Sequence, residues 1–122
     1  MLLDDFFEIL DLILKENSVG VKIIIKNDHK IFNGHFPDQP VVPGVCIVQM
    51  MIESLSQALD KKLTLQKVSN IKFLNIIDPT INQNLYFDIS YQEETEEEYK
   101  VTTILRNENQ TFFKFKGFIK TL

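Results

Sequence analysis

The fold is decided by PGVCIVQMMIESLSQAL, Pro43 to Leu59. It opens on a proline suited to the first helical position and holds no later breaker, so it reads as one long helix. Val45, Val48, Ile52, Leu55 and Leu59 recur at helix spacing. Apart from Gln49, residues 45–52 are apolar on every side, which predicts burial for the first two turns. Gln49 inside that run is expected to be buried with its amide hydrogen-bonded.

Downstream of this helix the chain reads as strands. Val68 to Ile77 is an extended run stopped by Asp78-Pro79, because a residue before proline avoids helical geometry. Leu85, Phe87, Ile89 and Tyr91 alternate with Tyr86, Asp88 and Ser90, the period of a half-buried strand. Tyr99 to Arg106 alternates likewise. After the polar turn Asn107–Gln110, Phe113, Phe115 and Ile119 point one way, and Lys114, Lys116 and Lys120 the other. The acidic run EETEEE, Glu93 to Glu98, fits a solvated hairpin tip. Together these form an antiparallel meander.

Upstream, Phe6 to Leu14 fits helix or strand equally by spacing, since periodicity alone cannot arbitrate. Asn17–Gly20 reads as a turn and Val21–Lys26 as β-rich, so a two-stranded hairpin is the preferred reading, with a short helical turn at residues 2–6. One long helix among antiparallel strands defines an α+β sheet wrapped around a helix.

Composition excludes several function classes. The chain has 122 residues, no Pro/Gly/Ser linker and no repeat, which bounds it to a single domain, 1–122. Its net charge of -4 argues against nucleic-acid binding, which needs a basic face. Cys46 is alone, so no internal disulfide forms, and a reduced cytoplasmic setting is expected. The opening MLLDDFFEILDLIL carries Asp4, Asp5, Glu8 and Asp11, which fits neither a signal peptide nor a membrane span. Asp28-His29 lacks further ligands at metal spacing, and His29 reads as a surface turn residue. Cys46 sits where a thiol pKa could fall, but its apolar neighbours favour a packed cysteine over a nucleophile paired with His35.

Chemistry concentrates before the helix. Three of the four prolines (Pro37, Pro40, Pro43) and two of the four glycines (Gly34, Gly44) surround His35. The plain reading is a rigid connection holding a hydrogen-bonded loop histidine. The sharper one notes that His35 lies shortly before a helix start, whose free N–H groups carry partial positive charge. An imidazole beside oriented donors can take a proton next to a polarised carbonyl.

Gly34-His35-Phe36-Pro37, Pro40 and Val42-Pro43-Gly44-Val45 resemble the signature of the 3-hydroxyacyl-acyl-carrier-protein dehydratases of fatty-acid synthesis. Weaker similarity runs through Ile71-Lys72-Phe73 and Ile76-Ile77-Asp78-Pro79. The resemblance implies a hotdog fold, a curved antiparallel sheet around one long central helix, and it tilts Phe6–Leu14 toward a strand. It implies that His35 removes the C2 proton of a 3-hydroxyacyl thioester and that the Gly44 N–H polarises the thioester carbonyl. Phe36 and Val45 then line the substrate site. No cofactor or metal is implied. The resemblance implies a homodimer whose histidine faces the helix of the other subunit, and the apolar surface left uncovered by one sheet on one helix is a further reason to expect an interface.

At the position of the family's catalytic acid this chain has Gln49, an amide with no proton to give near neutral pH. Three explanations compete. Glu53, one turn on, supplies the acid; Gln49 orients substrate or a water; or catalysis is lost and acyl binding kept. Against the first, Gln49, Glu53, Ser56 and Asp60 also fit a solvent-facing stripe. The competing functions are accordingly a dehydratase, a hotdog thioesterase using Glu53 and water, and a non-catalytic acyl-binding or partner subunit. Carrier proteins are acidic, so Lys61, Lys62, Lys67 and Lys72 are the candidate docking residues on this acidic chain.

Overall fold

A computed structural model describes residues 1–34 and 40–122. Six strands form one antiparallel sheet, and a long helix packs on it. The strands are β1 (Phe7–Leu14), β2 (Ser18–Ile25), β3 (Leu63–Phe73), β4 (Leu85–Glu93), β5 (Glu98–Arg106) and β6 (Thr111–Thr121). A four-residue helix, α1 (Ile31–Gly34), follows β2, and α2 (Gly44–Leu59) precedes β3. The sheet order is β1-β2-β4-β5-β6-β3, so β4-β5-β6 is the expected meander, while β3 crosses over to the far edge.

The second half follows its alternation. Phe113, Phe115 and Ile119 are buried, whereas Lys114, Lys116 and Lys120 are exposed. The Glu94–Glu97 segment turns the β4–β5 hairpin, with Glu94 N–H donating to the Glu98 carbonyl at 2.9 Å. In the first half β1 is a strand, and the bulge between Ile9 and Asp11 explains its ambiguous spacing. Phe7 and Ile9 face the core before the extra residue and Leu12 after it, which breaks the period of two. β2 begins at Ser18, earlier than expected, and the turn lies at Lys15–Asn17. The expected helical turn near residue 2 is present: the Leu2 carbonyl accepts from Asp5 N–H at 3.1 Å and Phe6 N–H at 2.7 Å.

β3 also departs from its sequence reading. It starts at Leu63 rather than Val68 and leaves the ladder after Phe73 rather than Ile77. Two bulges, between Leu65 and Lys67 and between Val68 and Asn70, scramble the alternation that would have marked it.

The phase of α2 differs as well. Cys46, Ile47, Met50, Met51, Ser54 and Leu55 are buried, while Val45 is 77% exposed and Gln49 is exposed. A segment apolar on all sides carries no phase, so the sheet selects which residues face inward. Pro43 is the N-cap rather than the first helical residue, and its carbonyl accepts from Cys46 N–H at 3.0 Å. Phe6, Phe87, Phe113, Phe115 and Met50 are among the fully buried side chains that fill the space between helix and sheet.

Candidate active site

The start of α2 is built by close approach. A Cβ on Gly44 would lie 2.8 Å from Cζ of Phe73, so only glycine lets that ring close against the helix start. Phe73 in turn packs against Phe113 in a tilted arrangement with centroids 5.5 Å apart. Val42 N–H donates to the Ile77 carbonyl at 3.0 Å and pins the chain entering the helix. Among the described residues, the Gly44 and Val45 N–H groups have no acceptor, as expected for the first turn of a helix. Val45 is exposed beside them. His35 and Phe36 lie outside the described residues.

Further along α2 the sequence expectations for Gln49 and Glu53 are exchanged. Glu53 is 6% exposed and belongs to no solvent-facing stripe, whereas Gln49 is exposed. The stripe fails because the segment Met1–Phe6 folds over this part of the helix. Leu2 N–H donates to both carboxylate oxygens of Glu53, at 2.9 Å and 3.0 Å, and Leu3 N–H donates to Oε1 at 2.8 Å. Gln49 Nε2 donates to Oε2 at 2.8 Å, so its amide is satisfied at the surface rather than in the core. Among the described residues every partner of Glu53 is a donor, and these contacts tie the Met1–Phe6 segment to the helix. Both residues border a cleft of about 660 Å³, whose walls include Leu3, Ile52, Ser56, Leu63 and Leu122.

His29 is more than a surface turn residue, with only 13% of its side chain exposed. Ile31 N–H donates to its Nδ1 at 3.1 Å, so the neutral ring carries its proton on Nε2, 3.2 Å from Asp5. Its ring meets Phe6 edge-on, which helps hold the segment that covers Glu53. Cys46 is buried, and burial pushes its thiol pKa up, consistent with a packed cysteine and not an activated nucleophile.

The four candidate docking lysines do not form one patch. Lys61 and Lys62 leave the helix end, where Lys61 Nζ donates to the Tyr99 hydroxyl at 2.7 Å. That hydrogen bond is the main reason the Lys61 pKa is raised. Lys67 and Lys72 lie on edge strand β3, and the strand rise separates Lys62 from Lys72 by on the order of 30 Å. Lys72 is paired directly with Lys114 across β3–β6, and both border a 300 Å³ outer-face cleft with Lys116, Asn70 and Thr102. Sequence spacing had no means of finding Lys114 and Lys116, because strand pairing alone brings them to Lys72. The Leu2 and Leu3 contacts were equally invisible, since backbone N–H groups leave no residue signature. Phe73 could be found only through its neighbour, as the reason position 44 must be glycine.

The curved antiparallel sheet with one long helix on its face is the hotdog fold. It superposes on the dehydratase heterocomplex ApeI:P from Xenorhabdus doucetiae with a TM-score of 0.66 and 17% identity, over 92% of this chain and 96% of that one. The putative thioesterase yhdA from Lactococcus lactis superposes with a TM-score of 0.67 at 10% identity, over 93% of this chain and 91% of that one. Residues 12–116 match the ApeI-like family, described as ApeI dehydratase, and the chain belongs to that family. The 3-hydroxyacyl-[acyl-carrier-protein] dehydratase FabZ of Rickettsia akari is 28% identical over 120 residues, 92% of this chain and 82% of that relative. Among the described residues no helix is long and apolar enough to cross a membrane.

Proposed function

We propose that this protein dehydrates a 3-hydroxyacyl thioester, carried on an acyl carrier protein, to the trans-2-enoyl thioester and water. The observation that carries this reading is the start of α2. Two N–H groups without an acceptor among the described residues stand there, at a glycine against which the Phe73 ring closes. A thioester oxygen bound to them gains the charge stabilisation that makes the C2 proton removable. His35 takes that proton, the C2–H electron pair becomes the double bond, and the C3–O bond breaks. With an amide at position 49 and both Glu53 oxygens already accepting hydrogen bonds, the proton taken by His35 passes to the departing hydroxyl, which leaves as water. Exposed Val45, Phe73, Leu74 and Ile76 near this helix start favour a homodimer that shares its sites between subunits. Incubating the protein with a 3-hydroxyacyl thioester should raise enoyl absorbance, and His35→Ala should lower the rate at least about a hundredfold. Release of free thiol instead would make the protein a thioesterase.

A second reading is favoured by the hydrogen bonds that occupy Glu53: a partner subunit that binds acyl groups and pairs with an active dehydratase. The ApeI:P structure is a heterocomplex, and this chain shares its fold. Carrier binding without enoyl or thiol formation would select this reading.

For the carrier we propose the outer face at Lys72 and Lys114. Like charges paired across strands disfavour the sheet unless an anionic surface covers them. Charge reversal at Lys72 and Lys114 should raise KM for carrier-bound substrate by about three- to tenfold, with little change for a pantetheine-linked one. The same reversal at Lys61 and Lys62 should do less, because Lys61 is held against Tyr99. Equal changes for both substrates would instead place the lysines in the pocket.

A further inference from the structure

Glu53 is the only buried charged side chain among the described residues. A buried carboxylate is tolerated where donors surround it, and here three N–H groups do so. Its contact with Gln49 is to the amide nitrogen, at 2.8 Å. That contact removes the freedom of the amide to turn over. It leaves Gln49 Oε1 without a partner among the described residues, on a side chain that is exposed and borders the 660 Å³ cleft. Met1, Leu3, Ile52, Leu63 and Leu122 give the cleft an apolar wall, and Gln57, Asp60, Lys61 and Lys62 line it beside Gln49 and Ser56, so an acyl group can lie on the apolar part with its hydroxyl toward Gln49.

We propose that Glu53 is a positioning residue: it holds the Gln49 amide so that Oε1 accepts the hydrogen bond of the substrate's 3-hydroxyl group. The segment at Leu2 and Leu3 is part of the device, because its two N–H groups fix the carboxylate that fixes the amide. This assignment rests on the acyl-thioester reading. It gives Gln49 a binding role that needs no proton, and it explains why a carboxylate is kept at position 53 although its oxygens are occupied.

Glu53→Gln is the direct test. A glutamine there has one acceptor oxygen where the carboxylate has two, and its NH2 group would face N–H donors. It cannot serve Leu2, Leu3 and Gln49 as the carboxylate does. Two readouts apply. In wild type the Gln49 side-chain NH2 resonances should be shifted and protected from solvent exchange, and Glu53→Gln should return them to ordinary values. Wild type should also bind a 3-hydroxyacyl-pantetheine about five- to tenfold more tightly than the matching saturated acyl-pantetheine, the worth of one hydrogen bond. Glu53→Gln and Gln49→Leu should each bring that ratio close to one while saturated-thioester affinity stays within about twofold. Leu3→Pro removes the N–H donor at Oε1 together with a cleft-wall side chain and should lower the ratio partway, and Leu3→Ala, which trims that side chain but keeps the N–H, should hold the wild-type ratio, so the test survives if Glu53→Gln does not fold. Unchanged Gln49 resonances, or a retained preference for the hydroxyl in Glu53→Gln, would overturn the assignment while leaving the dehydratase reading standing. Wild type that binds neither thioester would overturn the acyl-thioester reading and this assignment with it.

Discussion

Gln49→Glu is expected to raise the rate of enoyl formation by about tenfold or more, because general acid catalysis is typically worth 10²–10⁴. The new carboxyl would stand where the Gln49 amide now lies 2.8 Å from Glu53 Oε2. Two carboxylates that close cannot both ionise readily, so the pair retains one proton near neutral pH. Both Glu53 oxygens already accept from the Leu2–Leu3 segment, which leaves the carboxyl at position 49, on the exposed side, as the one free to present a proton. A proton donor then faces the departing hydroxyl. The double substitution Gln49→Glu, Glu53→Gln should be less active than Gln49→Glu alone, because it removes the second carboxylate that holds the proton at position 49. It exchanges acid and amide along the helix. The amide moved to position 53 would accept from the Leu2–Leu3 segment and donate to the carboxyl at position 49. Initial rates with a 3-hydroxyacyl thioester check both. If neither variant dehydrates while carrier still binds, the partner-subunit reading stands.

Gly117→Ala is expected to cost about 2–4 kcal/mol and lower the melting temperature by roughly 10 °C or more. Gly117 lies on β6 opposite the bulged part of β3. A Cβ there would overlap the Lys67 backbone carbonyl oxygen and come within 2.7 Å of Cζ of Phe115. A backbone atom cannot rotate away as a side chain does, so the β3–β6 pairing itself must shift. Gly20→Ala is the control. A Cβ on Gly20 meets nothing within 4 Å, and its stability change should stay within about 0.5 kcal/mol. Thermal melts of the two variants beside wild type decide the matter, and equal midpoints would contradict the close approach of Lys67.

What was legible in the sequence were features whose signal is local. β4, β5 and β6 keep an unbroken period of two, so their inward residues could be assigned directly. The helix was visible from its proline start and its apolar length. The motif around His35 and Gly44 depends on residues adjacent in the chain, so it pointed to acyl-thioester chemistry and the hotdog fold before any packing was known. Where a bulge interrupts the period, as in β1 and β3, the same rule lost the strand or misplaced its ends.

Tertiary structure decided the rest, because those features depend on which distant segment covers which face. A helix apolar all round has no preferred inward side until a sheet is laid against it, and so Val45 is outside and Met50 inside. Gln49 and Glu53 have fixed places in the sequence, but their roles are set by the backbone N–H groups of Leu2 and Leu3, some fifty residues away. Lys72 and Lys114 become neighbours only through the pairing of β3 with β6. Short-range spacing therefore determined the elements and the chemistry offered at the start of α2. Long-range burial and hydrogen bonding decided that the Glu53 carboxylate is buried among the N–H groups of Leu2, Leu3 and Gln49, because a buried carboxylate must be surrounded by donors wherever in the chain they originate.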